Sequence, residues 1–294
     1  MDIFASKKVA VVVPIFSEEQ KILGTLKSLN NQHLKPKTIV VINLISEKIF
    51  QTAHKMGAIV VDIRKKRIKK YTIFSTSPLL AFVINQGIKK VAEISKSWDY
   101  ILILSAGSIV DPSFIEILVK RAEQTKSVMN IVYFDKTIFP ILDSWKFGYL
   151  INFKFWKKIG LKFPLNFGWA GYLILKAISM GYHVTFSSYD RNFYPPTTHI
   201  DILEAYGYGI SMALLRYPLL LGMINSLLVS RYNKRQAIET FLSFIINRRG
   251  RKYVLRTNKL KSLFQNLLKR QISALESQIF NFLKVSLIKL KIVK

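Results

Sequence analysis

Cysteine is absent from the 294 residues, so neither a disulfide framework nor a thiolate metal site can form, and nothing chemical ties the chain to an oxidising compartment. Acidic residues are scarce. Only 17 Asp and Glu stand against 45 Lys and Arg, which leaves a net charge of +28. That excess is far beyond what solubility needs and implies an anionic partner: phosphates, anionic lipid or nucleic acid. Long apolar runs are also missing. The longest charge-free apolar stretch, Tyr217 to Ser230, falls well short of the ~18 residues that suggest a membrane span. Near the start, Val9 to Val13 is too short for the apolar part of a signal peptide and no small-residue cleavage site follows it. The expectation is a cytoplasmic protein, peripheral at the inner face of the membrane.

What is present makes a folded protein. Half the residues are hydrophobic and 21% are charged, a balance that excludes a disordered chain, and the length suffices for one large domain with an appendage.

The first half alternates strands and helices. Val9 to Val13 is a β-branched run closed by Pro14, as in a strand buried on both faces. Ser17, with Gln20 three residues on and Glu18 and Glu19 in the first turn, predicts a capped helix whose apolar face is Ile22, Leu26 and Leu29. Thr38 to Ile42 predicts a second strand, Ser46 to Met56 a helix stopped by Gly57, and Ala58 to Asp62 a third strand. Pro78 opens a helix to about Ile94, Tyr100 to Leu104 is a fourth strand, and Asp111 with Pro112 starts another helix at N-cap and N1. This alternation predicts a parallel α/β sheet, in which ligands bind outside the carboxyl ends of the strands.

Five segments then fall into register: VAVVVPIFSEE, LKSLNNQ, KTIVVINLIS, NQGI and DYILILSAGSIVDPSF. In order and spacing they resemble the nucleotide-sugar-binding half of the family 2 glycosyltransferases, over about Lys8 to Glu123. The resemblance implies the GT-A fold, a Rossmann-like α/β domain, over residues 1–200. Within it, 1–125 is the nucleotide-binding half and 126–200 the acceptor half. Residues 201–294 form a basic, amphipathic helical extension.

By the same resemblance Pro14, Phe16 and Glu18 fall on the motif that ends the first strand, and Ser28, Leu29 and Gln32 on the family's Ser-Leu-x-x-Gln. Asn43 stands where the family has the Asp that binds the nucleotide base; an amide can still hydrogen-bond there. The family's Asp-x-Asp falls on Ser105, Ala106 and Gly107. Its carboxylates would bridge a divalent cation to the diphosphate, and Ser and Gly cannot replace them. No metal or other cofactor is therefore expected. Asp111 is read as a helix cap.

The segment from Ser127 to Asp190 is aromatic-rich and includes Trp145, Trp156 and Trp169. Counting back from Lys176 along the resemblance, the catalytic Glu-Asp pair falls on Trp169 and Ala170, neither of which can take a proton from an acceptor hydroxyl. Asp143, Asp190 and Asp201 could approach the site but are first read as loop or cap residues. Core packing is the default for aromatics at this density. Trp169 is the exception, placed by the alignment in the acceptor cleft together with His199. His199 matches a late family His that in some members ligands metal, and is read here as a structural, hydrogen-bonded side chain. His33, His54 and His183 show no partner pattern.

Two basic features complete the reading. Arg64, Lys65, Lys66 and Arg67, in a loop that in the family passes near the nucleotide, would neutralise a diphosphate in place of metal, or form a solvated loop. From Arg231 onward sixteen Lys or Arg stand against Glu239 and Glu276, while Leu260, Leu263, Leu267, Leu275, Ile279, Leu283 and Leu287 recur at helical steps. That composition fits helices resting on an anionic bilayer; packing against the first domain or a protein partner, and nucleic-acid binding through the same charge, are the alternatives. No nucleic-acid-binding motif of a recognised type is present. Three function classes stay open: a membrane-associated transferase using a nucleotide sugar, a pseudoenzyme that keeps the fold as a binding or scaffold module, and, more weakly supported, a basic nucleic-acid-associated protein.

Overall fold

The computed structural model describes residues 6–15, 21–43, 47–63, 78–133, 141, 148–188, 202–229, 233–248, 258, 260–269 and 272–273. The chain divides into two compact units, Met1–His199 and Ile200–Lys294.

In the first unit the β-branched runs become strands as their composition dictates: β1 (Val9–Ile15), β2 (Thr38–Asn43), β3 (Ile59–Asp62) and β4 (Tyr100–Ile103). Every residue of β1 and β4 is buried, as befits strands covered on both faces. Helices α1 (Ile22–Asn30), α2 (Glu47–Lys55), α3 (Pro78–Ile94) and α4 (Phe114–Gln124) connect and cover them. β5 (Met129–Tyr133), β6 (Tyr149–Asn152), α5 (Phe153–Lys158), α6 (Trp169–Ser179) and β7 (Val184–Ser188) complete the unit. The sheet order is β3-β2-β1-β4-β6-β5-β7.

Three expectations are corrected. The sheet is mixed rather than all parallel, because β6 runs antiparallel between β4 and β5. Helix α1 begins at Ile22 with Lys21 at the N-cap position and no side-chain cap. The proposed cap at Ser17 and Gln20 lies outside the described residues, while Ile22, Leu26 and Leu29 are buried as one face. The N-cap position of α4 is Ser113 rather than Asp111, the first helical residue being Phe114. The Asp111 carbonyl instead accepts the Phe114 amide at 3.0 Å in a tight turn. The acceptor for an orphan amide of the first turn comes from the segment just beyond α1: Gln32 Oε1 takes the Ile115 N–H at 2.9 Å.

Close packing of α3 on the sheet needs a glycine. A Cβ on Gly87 would stand 2.6 Å from Ile42 Cδ1 and 2.7 Å from Val12 Cγ1, closer than side-chain carbons approach.

The second unit is helical: α7 (Ile202–Leu214), α8 (Leu219–Val229), α9 (Lys234–Asn247) and α10 (260–269). Leu260 and Phe264 of α10 are buried, and the Phe264 ring packs on Tyr217 at 5.1 Å. Leu275, Ile279, Leu283 and Leu287 lie outside the described residues. No described helix is long and apolar enough to cross a membrane.

Candidate functional site

Parallel pairing brings several strand ends to one edge. Ile15 is in register with Asn43, and Asn43 with Asp62, so β1, β2 and β3 finish side by side. β4 extends the row: Leu104 N–H donates to Val12 O at 3.1 Å, and the chain then turns at Ser105. Pro14, Asn43, Ser105 and Gly107 therefore belong to one sheet edge, the place where open α/β sheets bind ligands.

The turn after β4 is fastened from inside the protein. Ser105, 2% exposed, donates its hydroxyl to Ala106 O at 3.2 Å, and Ser108 N–H returns to Ser105 O at 3.2 Å. Gly107 has φ +90° and donates its N–H at 2.9 Å to Oγ1 of Thr25, a buried residue of α1. A side chain at that φ is strained, so a carboxylate at position 107 would need a different backbone as well as a different residue. The turn supplies no anionic oxygen of the kind divalent cations take as ligands, and its Ser105 hydroxyl and Gly107 amide are engaged within the protein. Among the described residues no three Asp, Glu or His side chains come together as a metal set.

Phe16, Glu18, Arg64, Lys65, Lys66, Arg67 and His199 lie outside the described residues, as do Asp143, Asp190 and Asp201.

Trp169 corrects the expectation that it faces an open cleft. Its side chain is 0% exposed and meets the Phe163 ring edge-on at 4.8 Å; Phe163 in turn meets Trp156 at 4.9 Å and Tyr149 at 6.1 Å. The indole is large and apolar, and this aromatic cluster encloses it. Ala170 is also buried, and its carbonyl accepts the Tyr149 hydroxyl at 3.1 Å. Tyr149 pairs with Ile103, so this bond ties the start of α6 to the edge where β4 ends. Burial holds the Tyr149 phenol far above its ordinary pKa, which keeps it a neutral donor.

Two motif residues have roles that the sequence did not reveal. Asn85, in NQGI, donates Nδ2–H to Phe163 O at 2.9 Å and accepts Phe163 N–H at 2.8 Å, a two-point clamp on the backbone of the aromatic hub. Gln32, in LKSLNNQ, donates to Ser28 O at 3.0 Å and to Asp111 O at 2.6 Å while accepting from Ile115. It joins the end of α1 to the start of α4. Both are amides, able to donate and accept at once, and nothing in their sequence neighbours marks the role.

At the opposite, amino-terminal edge a groove of about 410 Å³ is lined by residues including Lys126, Lys154, Lys158 and Tyr182. Glu123 there is engaged twice: Lys7 Nζ lies 2.7 Å from its carboxylate and the Tyr100 hydroxyl donates to it at 2.7 Å. Partial burial pushes the Glu123 carboxyl up, but the Lys7 and Tyr100 bonds outweigh it and leave the pKa below the ordinary value. With the folded-state pKa depressed, the stabilisation is complete above the unfolded value and is lost as pH falls through the folded one. Glu123→Gln is expected to cost about 1 kcal/mol at neutral pH. The gap from wild type should close below about pH 4 in urea titrations; a gap of constant size would show that charge is not its origin.

A profile described as Glycosyl transferase family 2 matches residues 10–173. No curated protein sequence matches the chain significantly. Among solved structures, the chain is similar to the mannosyltransferase PcManGT from Pyrobaculum calidifontis, in complex with GDP-Man and Mn²⁺. That likeness has 12% identity and a TM-score of 0.50, covering 99% of this chain and 82% of that one. It is also similar to glucosyl-3-phosphoglycerate synthase from Mycobacterium tuberculosis, in complex with UDP, Mn²⁺ and glucosyl-3-phosphoglycerate. Here identity is 14% and the TM-score 0.50, over 78% of this chain and 81% of that one. Identities this low speak for a shared fold alone.

Proposed function

The chain belongs to glycosyl transferase family 2 and its first unit has the GT-A fold; from that premise we propose that it binds a nucleotide sugar at the carboxyl edge of β1 to β4. The sugar is transferred to a lipid-linked or glycan acceptor at the inner membrane surface. The observation that carries this reading is the gathering of Ile15, Asn43, Asp62 and Ser105 at one edge of the sheet. Nucleoside diphosphates in the complexes of the similar structures support the donor class.

The donor diphosphate is held without a divalent cation. Ser105 and Gly107 offer no carboxylate, so charge has to be neutralised by side chains, and Arg64, Lys65, Lys66 and Arg67 are the candidates in the sequence. A second reading, a pseudoenzyme that binds without turnover and works through a protein partner, is favoured by one observation. Trp169 and Ala170, at the positions of the family's base, are both buried and neither can accept a proton.

Calorimetric titration with UDP, GDP and their sugars tests the reading. Nucleotide affinity is expected to change less than about twofold between Mn²⁺ and chelator. Replacing Arg64, Lys65, Lys66 and Arg67 together with Gln should weaken it by at least about tenfold. Affinity that collapses with chelator would overturn the metal-free reading. Binding without sugar transfer to any acceptor favours the pseudoenzyme.

A further inference from the structure

Two helices of the second unit, α8 and α9, turn polar side chains inward and leave large apolar ones outside. In a water-facing helix the apolar stripe is inside and the polar face outside. On α9 the buried face carries Gln236, Thr240 and Ser243 beside Phe244, whereas Ile238, Leu242 and Ile246 are exposed, Ile246 by 73%. The inward hydroxyls are satisfied by backbone: Thr240 Oγ1 donates to Gln236 O at 2.9 Å and Ser243 Oγ to Glu239 O at 2.7 Å.

Helix α8 repeats the pattern. It contains no charged residue, and it buries Asn225 and Ser226 together with Leu221, Ile224, Leu228 and Val229 while still exposing Leu219, Leu220, Met223 and Leu227 at helical steps. Its polar residues also turn inward: Ser226 Oγ donates to Gly222 O at 2.8 Å. Gly222 lets α8 and α9 approach, since a Cβ there would overlap the Phe244 ring.

Water does not select such surfaces, and apolar patches of this extent mark an interaction site. Charge identifies the partner. Lys234 and Arg235 open α9 on the exposed side, and the sequence from Arg231 adds fourteen further basic residues against two acidic ones. An apolar stripe with exposed cations at its start, in a strongly basic stretch of sequence, matches acyl chains beneath anionic headgroups. With 11 residues, α8 is about 16 Å long, half of the ~30 Å needed to span.

We propose that the exposed faces of α8 and α9 insert into the interfacial layer of an anionic bilayer, with the helices lying in its plane. The proposal gives the membrane location of the acceptor, on which it rests for its purpose, a specific docking surface.

Flotation of the full chain with vesicles of phosphatidylcholine containing about a third phosphatidylglycerol tests it. Wild type is expected to bind, and to keep part of its binding in ~1 M salt, because insertion, unlike headgroup attraction, is not screened. A variant combining Leu220→Gln, Leu227→Gln, Ile238→Gln and Leu242→Gln should bind at least about a hundredfold more weakly. Its circular dichroism and melting should match wild type, since all four side chains are exposed. Nucleotide affinity of the same variant should be unchanged, which separates failure of this proposal from failure of the donor site. Vesicle binding equal in variant and wild type, or no binding by wild type, overturns the proposal. So does a wild-type dimer that the variant dissociates without loss of vesicle affinity; that outcome would assign the face to a second copy.

Discussion

Trp169→Ala is expected to destabilise the protein by about 3–5 kcal/mol, among the largest effects of any single truncation in the first unit. The ring is fully enclosed, and its removal opens a cavity against Phe163, whose own contacts reach Trp156 and Tyr149. Collapse to fill the space is opposed by the Asn85 clamp, which fixes the Phe163 backbone at both its N–H and its C=O. Trp169→Phe, which keeps an aromatic edge at the site, should recover at least half of the loss. Urea unfolding measures both variants. Under conditions where Trp169→Ala remains folded, its nucleotide affinity should stay within about twofold of wild type, because the indole has no exposed surface to offer a ligand. A small change in midpoint accompanied by lost ligand binding would mean that the ring leaves the core when the site is occupied, and would falsify the core assignment.

Gln32→Leu should cost about 3 kcal/mol, with loss of helix α4's anchorage as the mechanism. The side chain is 1% exposed and makes three hydrogen bonds, to Ser28 O, Asp111 O and Ile115 N. Leucine preserves the volume but leaves the Asp111 carbonyl and the Ile115 amide with fewer partners in a dry environment, and each such loss costs roughly 1–3 kcal/mol. Gln32→Glu should be no better, because a carboxylate cannot donate to Asp111 O and would be buried without a cation. Since Asp111 and Ile115 follow the Ser105 to Ser108 turn, nucleotide binding should weaken along with stability. A loss under about 1 kcal/mol would show that water replaces the amide.

Sequence and structure divide the account of this protein along physical lines. Where a property is local, the sequence determined it. A β-branched run such as Val9 to Val13 has few ways to bury both faces other than a central strand, and Pro78 fixes a helix start through its own φ. The missing carboxylates at Ser105 and Gly107 are likewise a matter of residue type, visible without coordinates. Periodicity was less informative, because an apolar stripe marks a face without saying whether protein or something else covers it. Helix α8 is apolar on both sides, and only packing revealed that Asn225 and Ser226 are turned in while Leu219, Leu220, Met223 and Leu227 are turned out. Trp169 was misplaced for a related reason: alignment locates a backbone position, whereas the direction of a side chain depends on which neighbours close around it.

The remaining roles belong to tertiary structure because they join distant parts of the chain. Asn85 meets Phe163 across 78 positions, Gln32 meets Asp111 across 79, and Thr25 receives the Gly107 amide across 82. None of these pairs has a local signature, since an amide or hydroxyl can satisfy any backbone group that folding brings within reach. The sequence alone determined that positions 105 and 107 carry no carboxylate; folding decided that Gly107, at φ +90° and bonded to Thr25, occupies a turn in which a side chain would be strained.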